Sequence, residues 1–440
     1  MKKTKPGPRR GISHFFIGLF RRFFITVQMF GQNGMANHAA AGAYGFLLSA
    51  APALIIVSFF LYRILQASPE TAAKLIADLF IFEGVYDARE LIEQFVSSSK
   101  PGISGIVSVV SIIWAARVFA LSMIRGIKVV FADTRAGNPV RDFVITFIIE
   151  LGVILFAIIW ILNSQLAVRL YELLGDLFPQ NQGIINTILT IGKYLPLAGV
   201  VFITYLMFRI IPENPPGQKP VIQGTLVTVV LFFVVSYALR YILNPARYSV
   251  IYGALGSLIM LLANVYFFFI FFYYGAQFAF VVNSYDALIF SRLCRKFQVK
   301  SSKYNTEKIT ETFKQSTLRK YIRYYKTGDT VFNRGDKGRE VYYIVSGEAG
   351  VFLDDSEKQI AVIHPGGFFG EMEFLFAEKR NARIIAITDL IVIQMQPSLF
   401  NEILKIDPSM DRWVIESISK QLKNANEKII AAAEFFEPES

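Results

Sequence analysis

Hydrophobic positions along this chain follow two different patterns, and the change from one to the other falls near residue 283. Before it, apolar residues run in long stretches at 38–65, 103–131, 141–169, 183–211, 221–243 and 251–283. A helix needs roughly 20 residues to cross the hydrocarbon core of a bilayer, so each stretch is long enough to span. Arg117, Arg125 and Lys128 interrupt the second stretch, Glu150 lies in the third, and the sixth has no charged residue. After it come short β-like runs at 330–332, 341–345, 350–353, 360–363, 382–388 and 391–395, separated by glycines. Closely spaced strands with glycine turns predict a small barrel or sandwich. Helical patterns follow at 397–406 and 409–435.

The expected fold is therefore multi-domain: an α-helical membrane bundle of six transmembrane helices, then a C-terminal β-barrel or jelly roll with flanking helices. The boundaries read as a basic amphipathic N-terminal segment at 1–35, a membrane domain at 36–285, a basic helical linker at 286–325, a β domain at 326–430 and a tail at 431–440. Composition agrees with this reading. Of 440 residues, 53% are hydrophobic and 18% charged, where a soluble domain carries about 25% charge.

The net charge of +11 raises the question of nucleic acid, which its distribution answers. Residues 1–22 hold seven basic side chains and no acid, and residues 291–326 hold eleven against Glu307 and Glu311. Both clusters flank the apolar region, where the positive-inside rule places cytoplasmic Lys and Arg. The segment 66–100 carries six acids against three bases and suits the outer side. The loop bearing Lys128, Arg135 and Arg141 suits the inner side, whereas Arg240 and Arg247 run against the pattern. Both termini are expected in the cytoplasm, at a cell inner membrane, with the lipid bilayer and no nucleic acid as partner. The basic N-terminus lacks an apolar core followed by a cleavage site and reads as retained. His14–Phe30 reads either as an amphipathic helix on the inner surface or as the cytoplasmic start of the first span.

One cysteine, Cys294, allows no intramolecular disulfide and no cysteine-based metal cluster. The three histidines, His14, His38 and His364, have no obvious carboxylate partner in the sequence, and no metal is expected. Catalysis needs clustered acid–base or metal ligands, so the protein is not expected to be an enzyme.

The densest local signal is Gly366-Gly367-Phe368-Phe369-Gly370-Glu371-Met372, followed by Arg380-Asn381-Ala382. An arginine forms a charge-assisted pair with a phosphate, a carboxylate accepts a hydroxyl proton, and glycines let backbone N–H groups approach an anion. Together with Gly328, Gly335, Gly338, Tyr343 and Gly347, these residues resemble the cyclic nucleotide-binding domain family over about 308–430. The resemblance implies that Glu371 binds the ribose 2′-hydroxyl and Arg380 the cyclic phosphate. Gly370, Met372, Asn381 and Ala382 would line the pocket through backbone groups, and the helix near 413–422 would cap the base. The regulatory ligand is then cAMP or cGMP, with no further cofactor required. Two positions depart from the family pattern: Arg383 stands where Ser or Thr is common, and Glu373 where a small residue is usual. No helix-turn-helix pattern follows the last helix.

The small-residue run Ala39–Pro52, Tyr252-Gly253-Ala254-Leu255-Gly256, Tyr274-Gly275-Ala276-Gln277 and Phe208-Arg209-Ile210-Ile211-Pro212 resemble the YihY/BrkB family, once labelled ribonuclease BN, over about 20–290. Polar groups within spans are costly and are default candidates for a transport path. Here they are Arg117, Glu150, Lys193, Asn264 and Gln277; the alternative is a structural ion pair between Glu150 and Arg117 or Lys193. The leading functional expectation is a transporter-like or envelope-maintenance protein regulated by cyclic nucleotide, possible as a homo-oligomer. The alternatives are a cyclic nucleotide-gated channel, although no TVGYG-like filter is present, and a nucleotide domain kept only as an assembly module.

Overall fold

The computed structural model describes residues 8–48, 103–133, 140–149, 152, 197–242, 254–298, 306–353, 359–376, 379–416, 419 and 423. The chain forms two compact units, Met1–Asn283 and Ser284–Ser440.

The first unit is helical. Its described helices include α1 (Pro8–Gln32), α2 (Ile103–Val130), α3 (Gln218–Ile242) and α4 (Ala254–Asn283), with shorter helical stretches at 35–48, 140–149 and Leu197–Ile210. Two segments within them are long and apolar enough to cross a membrane, Gln218–Ala238 and Leu262–Asn283. The expected spans 38–65 and 141–169 fall largely outside the described residues, as does the first half of 183–211.

α3 and α4 meet backbone to backbone. Gly224 and Thr228 on α3 lie against Gly275 and Ala279 on α4, and a Cβ on either glycine would overlap the other helix. Two small residues four apart on each helix let the axes approach closely, the usual device where both solvent and interface are apolar. The opposite face of α3 exposes Ile222, Leu226, Val230, Phe233 and Tyr237. These recur at helical spacing as a continuous apolar stripe, as a lipid-facing surface requires.

α1 packs along α4 through aromatic contacts, with Phe23 at 4.8 Å from Phe278 and 6.3 Å from Tyr274 between ring centroids. Phe23 and Phe30 thus face α4, while Ile17, Phe20, Phe24 and Val27 remain exposed on the other face of α1. Charges collect where the helices end. Lys128 pairs with Asp142 at 2.7 Å, Arg141 with Glu213 at 3.6 Å, and Asp133 accepts the Glu213 N–H at 3.1 Å. The basic loop expected near Lys128 and Arg141 is therefore largely neutralised by its own acids.

The second unit begins with helices α5 (Tyr285–Gln298) and α6 (Thr306–Gln315). The strands are β1 (Ile322–Tyr325), β2 (Thr330–Phe332), β3 (Val341–Ser346), β4 (Ala349–Phe352), β5 (Gln359–Ile363), β6 (Phe368–Phe369), β7 (Arg383–Ala386) and β8 (Leu390–Met395). They form two antiparallel four-stranded sheets, ordered β1-β8-β3-β6 and β2-β7-β4-β5. Helix α7 (Glu371–Phe376) follows β6, and α8 (Pro397–Ile406) follows β8.

Strand β3 explains the layering. Side chains alternate across a strand, so Tyr342 and Ile344 enter a core with Ile384, Ala386 and Val392. Val341, Tyr343 and Val345 point the other way, into a core with Phe290, Cys294, Phe297 and Phe313 from α5 and α6 and Phe400 from α8. Both faces of β3 are buried, which is why it reads as an unbroken apolar run. The stretch 286–325, read from sequence as a linker, supplies much of this second core and the edge strand β1. Its basic residues hid an amphipathic pattern whose apolar side is Ala287, Phe290, Cys294 and Phe297.

Candidate functional site

The site is built on the turn between β6 and α7 and on the segment preceding β7. Gly370 carries φ of 79°, a left-handed conformation that glycine adopts without a Cβ penalty. A Cβ there would also crowd the Arg380 guanidinium and the Glu340 carbonyl. The turn delivers Glu371, Met372 and Glu373 onto α7, next to Arg380 in the loop before β7.

Arg380 is buried, with 2% of its side chain exposed. Its Nη1 donates to Glu373 Oε2 at 3.0 Å and to the Gly370 carbonyl at 3.2 Å, and its Nη2 donates to the Glu340 carbonyl at 2.9 Å. The Glu340 carboxylate lies 3.6 Å from Nη2. The guanidinium also sits 4.1 Å from the Phe332 ring centroid, with Tyr342 at 5.8 Å. Aromatic faces and ion-pair partners together accommodate a cation that burial alone would destabilise.

Glu373 is buried as well, and its second oxygen accepts the Asn381 N–H at 3.0 Å. Thus one carboxylate takes a guanidinium proton with one oxygen and a backbone proton with the other. Glu371 is 2% exposed, and its Oε2 has no hydrogen-bond partner. Burial pushes its carboxyl up to about 7; Glu373 adds to the push, while its own backbone N–H and Arg380 oppose it. A buried acceptor without a donor is costly, and a hydroxyl is one group that would satisfy it.

Next to Arg380 opens a cavity of about 690 Å³, lined by Arg334, Gly335, Lys337, Gly338, Arg339, Lys379, Arg380 and Asn381. Sequence reading had singled out Arg380 and Asn381 but not the surrounding bases. Their signal was present in the Gly335–Gly338 turn, where Arg334, Lys337 and Arg339 alternate with glycine. Gly370, Glu371 and Glu373 come together behind Arg380, and neither they nor the partly buried Met372 and Ala382 line this cavity. Arg383 projects from β7 with its guanidinium 5.6 Å from the Phe352 ring.

Of the segment near 413–422 expected to cap a base, residues 413–416 and 419 are described. Trp413 packs at 4.9 Å on Phe368 and 5.7 Å on Tyr343, on the helical side of β3 and not beside Phe332 and Tyr342. His364 does have a carboxylate partner, since its Nδ1 lies 2.9 Å from Glu348 Oε1. Strands β4 and β5, distant in the sequence motif, bring that exposed pair together.

The intramembrane polar residues do not form one constellation among those described. Gln277 is fully buried and its Oε1 accepts from Asn33 Nδ2 at 3.0 Å, which ties the end of α1 to α4. Arg117 lies on the outside of α2 with its guanidinium 5.5 Å from the Phe143 ring. Asn264 is half-buried on α4. Glu150 and Lys193, including any ion pair between them, lie outside the described residues.

Comparison with known proteins separates the same two units. The family model described as Virulence factor BrkB matches residues 26–289, and that described as Cyclic nucleotide-binding domain matches residues 322–407. Over 80 residues the chain is 36% identical to a cAMP-dependent protein kinase regulatory subunit from Colletotrichum orbiculare, covering 18% of this chain and 20% of that one. Over 107 residues it is 26% identical to a Cyclic AMP receptor protein from Thermus thermophilus, covering 24% of this chain and 50% of the relative. Among solved structures, the Thermus thermophilus catabolite activator protein aligns at 24% identity with a TM-score of 0.24, over 26% of this chain and 57% of that one. The chain spans half or less of the length of these curated relatives.

Proposed function

The chain belongs to the virulence factor BrkB family, and on that premise we propose that it is a transporter-like or envelope-maintenance membrane protein whose activity is set by a cyclic nucleotide. On this reading it spans a cell inner membrane six times, with both termini in the cytoplasm, and works by binding and not by catalysis. The nucleotide is cAMP or cGMP, and neither nucleic acid nor a metal is a partner.

The observation that carries this reading is the presence in one buried site of Arg380 and of a Glu371 whose Oε2 has no hydrogen-bond partner. The cyclic phosphate would meet Arg380 and the Asn381 backbone N–H, and the ribose 2′-hydroxyl would supply the donor that Glu371 Oε2 lacks. The family model for a cyclic nucleotide-binding domain covers these residues, and two of the curated relatives are named for cAMP. The channel alternative has no observation in its favour. A second reading, an assembly module without ligand, has one: Arg380 is already engaged by Glu373.

Calorimetric titration of cAMP and cGMP into the detergent-solubilised chain, beside Arg380→Ala, tests the proposal. Micromolar binding that the substitution abolishes is the expected result. Equal binding by both proteins would sink the site assignment.

A further inference from the structure

Arg380 faces a carboxylate of its own chain in the place where a ligand phosphate would have to go. Glu373 offers it the features a phosphodiester would: one oxygen 3.0 Å from Nη1 and the other 3.0 Å from the Asn381 N–H, with both side chains buried. A phosphodiester presents the same pair of acceptor oxygens and the same single negative charge. Arg380 already faces Glu373 at 3.0 Å and Glu340 at 3.6 Å, so a phosphodiester brought to Nη1 would be a further anion there and is opposed by the buried Glu373, because like charges in a low-dielectric site repel strongly.

We propose that Glu373 is an internal occupant of the phosphate subsite, a latch that a cyclic nucleotide must expel before it binds. The inference rests on the cyclic-nucleotide reading of this site. It assigns Glu373 a regulating role: it sets the nucleotide concentration at which the domain responds, and it keeps Arg380 paired when no ligand is present.

The latch sits on a helix that can transmit its movement. Glu373 neighbours Phe374 on α7, whose ring packs edge-on against Phe400 of α8 at 5.1 Å. Helix α8 in turn packs against α5, where Ser284 Oγ donates to Glu402 Oε1 at 2.6 Å. Exchange of carboxylate for phosphate therefore acts on the helix that follows the membrane unit in the chain. For this exchange to regulate anything, the two occupants must hold α7 differently.

The test is calorimetric titration of cAMP into the full chain in detergent, comparing wild type, Glu373→Ala, Glu373→Gln and Glu348→Gln. Glu373→Gln removes the charge and keeps one acceptor oxygen, for Arg380 or for the Asn381 N–H, in a side chain of the same size, so it serves if Glu373→Ala does not fold. Glu348→Gln controls for loss of an acidic charge elsewhere in the domain. The expected result is binding at least tenfold tighter in both Glu373 variants, with Glu348→Gln unchanged. Wild-type binding that the Glu373 variants match or fall below overturns the latch and leaves the nucleotide reading intact. Binding by the variants alone supports the latch and overturns nucleotide control of the native protein. No binding by any folded variant overturns both.

Discussion

At the scale of single residues, the site is a contest between burial and pairing. Arg380 satisfies its charge with Glu373, two carbonyls and an aromatic face, whereas Glu371 is buried with one oxygen unmatched. Its carboxyl, raised to about 7 chiefly by desolvation, gives a signed prediction. Below pH 4.5 the carboxyl is neutral in both folded and unfolded chains, and the stabilisation is fully present. As pH rises toward 7 the unfolded chain ionises first, so the folded domain loses stability, on the order of 3 kcal/mol in all. Glu371→Gln should flatten that loss. Trp413 is the only tryptophan of the second unit, so urea unfolding followed by its fluorescence, with Trp114 and Trp160 replaced by Phe, reads the effect. A pH slope unchanged by the substitution would assign it to other groups.

At the scale of elements, the α3–α4 contact depends on the absence of side chains. Gly275 lies against Gly224 and Thr228, so Gly275→Leu forces the helices apart. Overpacking of this kind typically costs about 1–3 kcal/mol, and here it acts on backbone that cannot yield without moving a whole helix. The thermal midpoint in detergent should fall by several degrees, while Leu226→Ala, on the outward stripe, should leave it nearly unchanged. An equal response from both would mean that the contact does not organise the bundle. In the second unit, α5 has a comparable role. Phe290 lies fully buried at 5.3 Å from Tyr343, so a helix that precedes the matched nucleotide-binding domain in sequence is part of that unit's core.

At the scale of the whole molecule, the boundary lies at Asn283 and Ser284, between two helices separated by one residue. A fragment of residues 284–440 should therefore melt as one cooperative unit by circular dichroism. A fragment of 322–440 lacks Phe290, Cys294, Phe297 and Phe313 and should melt earlier, with exposed apolar surface that binds a hydrophobic dye. Equal melting would return α5 and α6 to the status of a linker.

Much was legible in the sequence, for a physical reason in each case. The apolar runs 221–243 and 251–283 signalled α3 and α4 because lipid leaves no choice but a helix of sufficient length. The strands β2, β3, β4, β5, β7 and β8 were visible because glycine turns punctuate them. Arg380 and Glu371 were found because the Gly370 turn has few alternatives to glycine and sits beside them. Other features depended on long-range contact. The 286–325 stretch read as a linker because its basic face dominates composition, and only the packing of Phe290 and Phe297 under β3 showed its apolar side. Of the segment near 413–422 expected to cap a base, Trp413 packs on Phe368 on the other face of β3. Glu373 was visible as a departure from the family pattern, yet its partner was not, because Arg380 lies seven positions on in the chain and only the fold brings the two within 3.0 Å. Local pattern thus determined which elements form and which residues stand as candidates for the chemistry. Tertiary structure alone decided which buried charge meets which, because ion pairs are set by the distances that folding imposes and not by spacing along the chain.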